Sequence, residues 1–279
     1  MEDGPLISVI MPAYNAGPFI GAAIRSMIAQ SYGNWELLVV NDGSTDDTGT
    51  VIAGFDDPRI RRFQQANGGI GSARNHALRQ VRGEFLCTFD ADDILPPDSL
   101  RARLEVLLKD PQADICDGSV ALMDRDLENV HRTYTPAPTD NALKELVELT
   151  GKCFFGPTWM IRWEPPRPRI LFNEVITHAE DLLFYMELAG GRRYAFTEEI
   201  VLIYRRTGTS AMSDLGGLER SYRTILHWLR HHPGIATPSQ VRYFDRRARR
   251  IMAGSYWHAH RTRDAFRAIL RPLPPYAIE

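Results

Sequence analysis

Three carboxylates lie close together at Asp90, Asp92 and Asp93, directly after an apolar run. Like charges this close repel one another unless a cation neutralises them. Mg²⁺ and Mn²⁺ prefer carboxylate and phosphate oxygens, and such a metal would bridge to a diphosphate and stabilise it as a leaving group. The triplet is therefore a candidate metal site, although a solvated turn with a helix cap explains the same residues.

Two further polar positions follow apolar runs near the start of the chain. Asp42 precedes Gly43, and its carboxylate is suited to accept a hydrogen bond from a nucleobase N–H. A turn with a helix N-cap explains these residues equally well. Tyr14 follows the first apolar run and is suited either to stack on a base or to pack against the protein.

A glycine-rich stretch at residues 67–71 and the pair Glu180-Asp181 are the remaining candidates. The helix start after the glycines favours an anion, and Arg74 one turn later is placed to reach a phosphate. Arg74 also stands where a dinucleotide fingerprint needs its third glycine, so that cofactor site is not indicated. A carboxylate beginning a later helix is suited to act as general base towards a hydroxyl, or only to offset the helix dipole.

The elements that would carry these residues alternate between strands and helices in the first half of the chain. Periodicity predicts strands at 7–11, 35–40, 59–63 and 85–89 and helices at 19–28 and 70–81. This alternation indicates parallel strands with right-handed crossovers, whose ligands collect at the carboxyl ends of the strands. Residues 1–100 are therefore predicted to form a nucleotide-binding half.

The rest of the chain is predicted to form an acceptor-binding half at 101–214 and an Arg-rich helical segment at 215–279. Its predicted elements are a helix at 99–108, a strand at 114–120, a loop or irregular hairpin at 124–138, a helix at 180–188, a strand at 200–204 and helices at 218–229, 240–257 and 263–270. The fold class is thus α/β, a mixed, mainly parallel sheet flanked by helices with a C-terminal helical appendage.

The composition is that of a soluble globular protein, with 44% hydrophobic and 24% charged residues in 279. There is no apolar stretch of about 18 residues and no signal-peptide pattern, so we expect a cytoplasmic protein. Its three cysteines form no CxxC pair and are expected to be buried free thiols in a reducing compartment.

Together, five motifs in this order and spacing resemble the family 2 glycosyltransferases of the GT-A fold, over residues 8–210. The motifs are SVIMPAYN at 8–15, VNDGSTD at 40–46, GIGSARN at 69–75, FDADD at 89–93 and the pair Glu180-Asp181. The resemblance implies an inverting enzyme that transfers a sugar from a nucleoside-diphosphate sugar, UDP being favoured. The acceptor would be a hydroxyl of a saccharide or lipid-linked saccharide in cell-surface polysaccharide or glycolipid synthesis.

The resemblance also implies a role for each matching residue on the donor side. Tyr14 and Asp42 would hold the nucleobase, with Pro12 and Asn15 beside them. Three further donor-side residues have implied roles: Arg74 near the base or diphosphate, Asp90 at the ribose, and Asp92 as ligand of Mn²⁺ or Mg²⁺.

On the acceptor side, the resemblance implies that Asp181 is the catalytic base and that Glu180 supports it or contacts the acceptor. Many relatives also carry a basic residue near the diphosphate where this chain has Thr207. Arg206 adjoins that position, so the cation that serves the diphosphate is left open.

The segment 215–279 holds twelve Arg, no Lys and four acids. Many family members extend membrane-lipid-linked saccharides, so this segment suggests peripheral contact with the inner face of the cell membrane. The residues suited to anionic headgroups are Arg246, Arg247, Arg249 and Arg250, with Trp257 nearby. A solvated helical face or a dimer contact explains the same arginines.

Two other functions compete with sugar transfer. A nucleotidyltransferase also combines a nucleotide site with a carboxylate-bound metal, but it would normally need a Lys- and Gly-rich phosphate loop, and no Lys precedes Lys109. A non-catalytic nucleotide-sugar binding module would be favoured by loss of Asp92 or Asp181, and both are present. A nucleic-acid partner is not expected, because the basic segment carries no recognised motif.

Overall fold

The computed structural model describes residues 4–153, 156–163, 170–208 and 214–270. The strands in these ranges are β1 (Ile7–Ala13), β2 (Trp35–Asp42), β3 (Ile60–Gln65), β4 (Phe85–Thr88), β5 (Ile115–Met123), β6 (Val130–Tyr134), β7 (Met160–Arg162) and β8 (Tyr194–Arg205). The helices are α1 (Gly17–Ile28), α2 (Thr48–Ala53), α3 (Ile70–Leu78), α4 (Ser99–Lys109), α5 (Ala142–Val147), α6 (Glu180–Ala189), α7 (Leu215–His231), α8 (Pro238–His258) and α9 (Thr262–Leu270).

One sheet contains all the described strands, in the order β3-β2-β1-β4-β7-β5-β6, with β8 paired to β5 outside this path. The first four strands are parallel to one another, as the alternation of strands and helices predicts. β1 and β2 are buried along their whole length, because helices cover both faces of the sheet. This explains why both strands read as continuous apolar runs rather than as alternating patterns.

The carboxyl ends of β1, β2 and β4 meet at one edge of the sheet. Ala13 is in register with Asn41 and Ile10 with Thr88, the last residue of β4. The Ile10 carbonyl faces β4, since it accepts a hydrogen bond from the N–H of Phe89 at 3.0 Å. Pro12, two residues later, faces the same side, but β4 has already ended there. The N–H that proline lacks would therefore have had no strand partner, and the sheet loses no hydrogen bond.

The second half of the sheet is mostly antiparallel. β7 joins the two halves, pairing antiparallel with both β4 and β5. β6 folds back on β5 with a register shift, so an irregular hairpin occupies the region predicted as a loop or hairpin. β8 returns parallel to β5. The sheet is thus mixed and mainly parallel, which confirms the predicted fold class.

An apolar core lies on each face of the sheet. One contains buried residues of α1 and α4, and the other joins buried residues of α3, α5 and α6 to those of α7, α8 and α9. The predicted C-terminal helices are therefore present and pack on the same core as α6. None of the described helices is long and apolar enough to cross a membrane.

Some predicted boundaries and elements were wrong. α3 ends at Leu78 rather than at residue 81, and β8 begins at Tyr194 rather than at residue 200. β7 and α5 were not predicted at all. The three cysteines are buried and free, as expected.

Candidate functional site

The loops after β1 and β2 are tied together by Asn15. Its Oδ1 accepts a hydrogen bond from the N–H of Thr45 at 2.9 Å, and its own N–H donates to Ser44 Oγ at 3.1 Å. Asn15 takes a left-handed conformation with φ 48°, which asparagine tolerates better than most residues. The neighbouring Tyr14 is 52% exposed at the same edge of the sheet, so its ring is available to a ligand.

The Asp42 carboxylate is buried and holds the glycine loop that precedes α3. It accepts hydrogen bonds from Gln65 Nε2 at 2.8 Å and from the N–H groups of Gly68 at 2.8 Å and Gly69 at 2.9 Å. Gly69 has φ 85°, a conformation that favours glycine. The backbone donors that we expected to face an external anion therefore bind a carboxylate of this chain. The contact of Asp42 with a base stays a prediction.

Arg74 joins the two halves of the site. From the first turns of α3, its Nη2 lies 2.8 Å from Asp90 Oδ1 and its Nη1 lies 2.5 Å from Glu180 Oε1. Burial alone would lower the pKa of this guanidinium, but Asp90 and Glu180 raise it overall, so Arg74 stays charged. The end of β4 and the start of α6 are thus held together by one buried cation.

Asp181 lies beside this ion-pair cluster, in the first turn of α6. Its Oδ1 accepts a hydrogen bond from the N–H of Leu182 at 2.8 Å. Burial of the carboxylate raises the pKa of Asp181 to about 7, with Glu180 and Asp90 adding to the rise and Arg74 opposing it. A carboxyl group that titrates near neutral pH is matched to general-base work. Ala179, just before this helix, takes a left-handed conformation with φ 56° that is unfavourable for alanine.

The other two carboxylates of the triplet have different environments. Burial, followed by the charge of Asp90, raises the pKa of Asp92 to about 6. Asp93 is fully buried, and its Oδ1 accepts a hydrogen bond from the backbone N–H of Arg205 at 3.0 Å. Its Oδ2 has no hydrogen-bond partner among the described residues, and burial with the charges of Asp92 and Asp90 raises the Asp93 pKa well above its usual range. Asp93 therefore ties the loop to β8, whereas Asp92 remains available to a ligand.

Arg205 braces the same loop from the end of β8. Its Nε donates to the Asp92 carbonyl at 2.8 Å and its Nη1 to the Arg125 carbonyl at 2.7 Å. The next residue, Arg206, is exposed, and its side chain makes no ion pair or hydrogen bond with the described residues. Thr207 is buried. Arg206 is therefore one cation that remains available beside the carboxylate loop.

The carboxylates after β4 fit a divalent metal whose remaining ligands come from water and substrate rather than from the protein. In the described ranges, no group of three or more His, Cys, Asp or Glu side chains is arranged to hold an ion. Asp92 nevertheless forms no ion pair with a described residue, and burial and the charge of Asp90 raise its pKa although the charge of Arg205 lowers it. Mg²⁺ is commonly bound by one or two carboxylates, with water and substrate phosphates completing its shell.

Sequence reasoning missed the parts of α3 that fix its position. The Asn75 side chain donates to the Phe172 carbonyl at 2.9 Å and to Glu174 at 2.8 Å, and it accepts from the Phe172 N–H at 2.8 Å. A Cβ added at Gly71 would lie 2.8 Å from the Asn173 carbonyl oxygen. The available signal was a glycine and an asparagine, both poor helix formers, inside a helical pattern.

Comparison with known proteins places this arrangement in a family. A family model described as Glycosyl transferase family 2 matches residues 8–165, more than half of the chain. The chain belongs to glycosyltransferase family 2. This family 2 chain is 31% identical to the uncharacterized glycosyltransferase EpsJ of Bacillus subtilis over 220 residues, which cover 74% of this chain and 62% of EpsJ.

A second relative of this family 2 chain has a more informative name. WfgD of Escherichia coli, a UDP-Glc:alpha-D-GlcNAc-diphosphoundecaprenol beta-1,3-glucosyltransferase, is 42% identical over 109 residues, 38% of this chain and 43% of WfgD. The chain spans 58% of a Rickettsia typhi relative and 62% of EpsJ, so it covers about three fifths of these proteins.

Solved structures share the fold of this family 2 chain. Residues 1–349 of TarS from S. aureus match with a TM-score of 0.67 at 19% identity, over 95% of this chain and 81% of that one. The mannosyltransferase PcManGT of Pyrobaculum calidifontis, in complex with GDP-Man and Mn²⁺, matches with a TM-score of 0.62 at 21% identity, over 96% and 74%. At these identities the likeness concerns the fold alone.

Proposed function

We propose that this chain transfers a sugar, with inversion, from a nucleoside-diphosphate sugar to an acceptor hydroxyl. The observation that carries the proposal is the Arg74 bridge, with Asp90 2.8 Å away on one side and Glu180 2.5 Å away on the other. It brings the donor-side carboxylates next to Asp181, the residue suited to activate an acceptor. The names of WfgD and PcManGT, which include UDP-Glc and GDP-Man, support a nucleotide-sugar donor.

In this proposal Asp181 accepts the proton of the acceptor hydroxyl as that oxygen attacks the sugar. Because its pKa is about 7, the carboxylate is ionised in a large share of molecules at neutral pH and is more basic than an ordinary aspartate. Glu180 supports Asp181 through its ion pair with Arg74, which fixes the start of α6. Arg74 thus acts as a positioning residue rather than as a direct phosphate ligand.

The donor binds along the carboxyl edge of the sheet, with UDP favoured. Tyr14 stacks on the base, Asp42 accepts a hydrogen bond from it, and Asp90 contacts the ribose. Pro12 and Asn15 shape the loop that presents Tyr14. Exposed Arg206 serves the diphosphate in place of a basic residue at position 207.

Asp92 would hold Mn²⁺ or Mg²⁺ at this edge. When bound, the cation supplies positive charge that stabilises the departing nucleoside diphosphate. The protein's own contribution is a carboxylate held at the end of β4, with its backbone fixed by Arg205 and Asp93.

We further propose that the acceptor is a saccharide or lipid-linked saccharide of polysaccharide or glycolipid synthesis. WfgD, named for a diphosphoundecaprenol-linked acceptor, supports this class. The reaction would then take place in the cytoplasm, at the inner face of the cell membrane.

Product analysis tests the proposal. Donors are first selected from a panel of UDP-, GDP- and dTDP-sugars by the rise in melting temperature they cause with Mn²⁺. The selected donors are then incubated with the protein, Mn²⁺ and a set of saccharide and lipid-linked saccharide acceptors. Release of free nucleoside diphosphate, abolished in Asp92→Asn and Asp181→Asn, is the expected result. Release of pyrophosphate would indicate a nucleotidyltransferase, and donor binding without any turnover would indicate a binding module.

A further inference from the structure

One face of α8 carries a row of exposed arginines between two exposed aromatic residues. The spacing of Tyr243, Arg246, Arg247, Arg250 and Trp257 places all five on the same side of the helix. Tyr243 is 43% exposed and Trp257 is 58% exposed, so both rings are open to solvent. Aromatic residues of this kind suit a boundary between water and an apolar phase.

The arginines of this face have no acidic partners among the described residues. Several other arginines of the C-terminal segment are ion-paired, such as Arg223 with Glu219, Arg249 with Asp245, and Arg261 with Asp264. Arg246, Arg247 and Arg250 are exposed and form no ion pair with any described residue. Three unneutralised guanidinium groups on one side of a helix repel one another and favour an anion that binds between them.

Two of these arginines, Arg247 and Arg250, line an open groove of about 480 Å³ together with Ile251, Gly254, Ser255 and His258 of the same helix. A Cβ added at Gly254 would meet nothing within 4 Å, so the missing side chain leaves space open in the groove.

Tyr222 of α7 links α8 to the surroundings of the candidate catalytic base. Phe244, one turn before the groove, contacts the ring of Tyr222 on α7, with 6.0 Å between the ring centroids. Burial raises the pKa of Tyr222 to about 12, the charge of Asp181 adds to the rise and the charge of Arg247 opposes it. Asp181 and Arg247 therefore both lie close enough to act on this one buried hydroxyl.

We infer that the α8 groove is an acceptor subsite that binds the diphosphate of a lipid-linked saccharide through Arg247 and Arg250. The inference rests on the proposed function, because the hydroxyl to be glycosylated must reach Asp181. A planar guanidinium group binds phosphate oxygens in a bidentate manner, and Arg247 and Arg250 supply two such groups. Tyr243 and Trp257 then lie where the lipid part of the acceptor leaves the protein.

The test uses the full chain and geranyl diphosphate, a prenyl diphosphate without a sugar, as the probe. Binding is measured by calorimetry in EDTA, so that the metal-dependent donor site does not contribute. The variants are Arg247→Gln/Arg250→Gln, which removes the charges, and Gly254→Leu, which fills the groove without changing charge. Arg242→Gln is the matched control, because Arg242 is exposed on the same helix and does not line the groove.

We expect the affinity for geranyl diphosphate to fall about tenfold in the double variant and in Gly254→Leu, and to stay unchanged in Arg242→Gln. Equal affinity in wild type and the double variant would overturn the subsite. So would binding to phosphatidylglycerol vesicles without binding to geranyl diphosphate, since the face would then recognise headgroups. Inorganic pyrophosphate binding as tightly as geranyl diphosphate would also count against it.

Donor hydrolysis by the wild-type protein, with water as the acceptor, separates this inference from the proposed function. If no donor in the panel raises the melting temperature of the wild-type protein with Mn²⁺, the proposed function is refuted whatever the groove binds. If a donor binds or is hydrolysed and the double variant binds geranyl diphosphate as tightly as wild type, only the subsite is refuted.

Discussion

At the scale of single residues, the pKa of Asp181 predicts how the reaction depends on pH. Only the ionised carboxylate accepts a proton, and burial with the charges of Glu180 and Asp90 keeps its pKa at about 7. We expect kcat/KM to rise with pH up to about 7 and then to level off. Asp181→Asn should lose roughly 10²- to 10⁴-fold in rate at pH 8. Initial rates between pH 5.5 and 8.5 provide the measurement, and a profile flat down to pH 5.5 would remove Asp181 from this role.

The neighbouring Glu180 gives a second prediction with a definite sign. Glu180→Gln removes a negative charge that raises the Asp181 pKa and leaves Arg74, which lowers it. The acidic limb of the pH profile should therefore move down by roughly half a unit to one unit. Glu187→Gln, on the same helix but outside the Arg74 cluster, is the control and should leave the limb in place. A shift to higher pH in Glu180→Gln would contradict the electrostatic picture of the site.

At the scale of elements, the sequence predicted those parts of the fold that are buried on both sides. β1, β2 and β4 are buried throughout and mostly apolar, and their predicted positions lie within two residues of the observed ones. β7 could not be found in this way, because three residues are too few to show a period. The first half of β8 is partly exposed and contains Thr197, Glu198 and Glu199, so only pairing with β5 makes it a strand.

The same limit applies to the site. The motifs placed Tyr14, Asp42 and Asp90 correctly at strand ends, because strand ends follow from local patterns. Arg74 and Glu180 are 106 positions apart, and their contact depends on how α3 and α6 pack. Likewise, the buried partner of Asp93 is a backbone N–H of β8. Since almost every residue has a backbone N–H, the sequence does not indicate which one binds Asp93.

The position of α3 depends on the close approach of its first turn to residues 172–174. In Gly71→Ala the new methyl group would lie 2.8 Å from the Asn173 carbonyl oxygen, a backbone atom that cannot turn away. We expect a loss of about 1–3 kcal/mol in the free energy of unfolding, and weaker donor turnover because Arg74 moves with the helix. Denaturant titration measures the loss.

Gly254→Ala is the control for this change, because it is also a helical glycine but has open space around it. It should stabilise the protein by about 0.5–1 kcal/mol, as alanine usually does in a helix. If Gly71→Ala and Gly254→Ala were stabilised by the same amount, the close approach of Gly71 to the Asn173 carbonyl would not contribute to stability.

At the scale of the whole molecule, the C-terminal helices share an apolar core with α6 rather than packing among themselves alone. Leu218, Ile225 and Leu226 of α7 share one apolar core with Leu182 and Leu183 of α6. Glu219 adds a polar link, since it binds Tyr256 of α8 at 2.6 Å and pairs with Arg223 and Arg267. α6, the helix that begins with Glu180 and Asp181, is therefore stabilised by the core that it shares with α7 and α8.

This shared core predicts that a destabilising substitution in α7 also destabilises α6, which carries Asp181. Leu226 is 1% exposed, so Leu226→Ala should cost about 2–5 kcal/mol of unfolding free energy through lost burial and the cavity left behind. Amide hydrogens of α6 should exchange faster in this variant, because opening of α7 exposes the core that α6 shares with it. Ile269→Ala, at a site on α9 that is 53% exposed, should change neither stability nor exchange by a measurable amount. If Leu226→Ala accelerated exchange in α7 and α8 alone, the C-terminal helices would be an appendage that opens independently of the site.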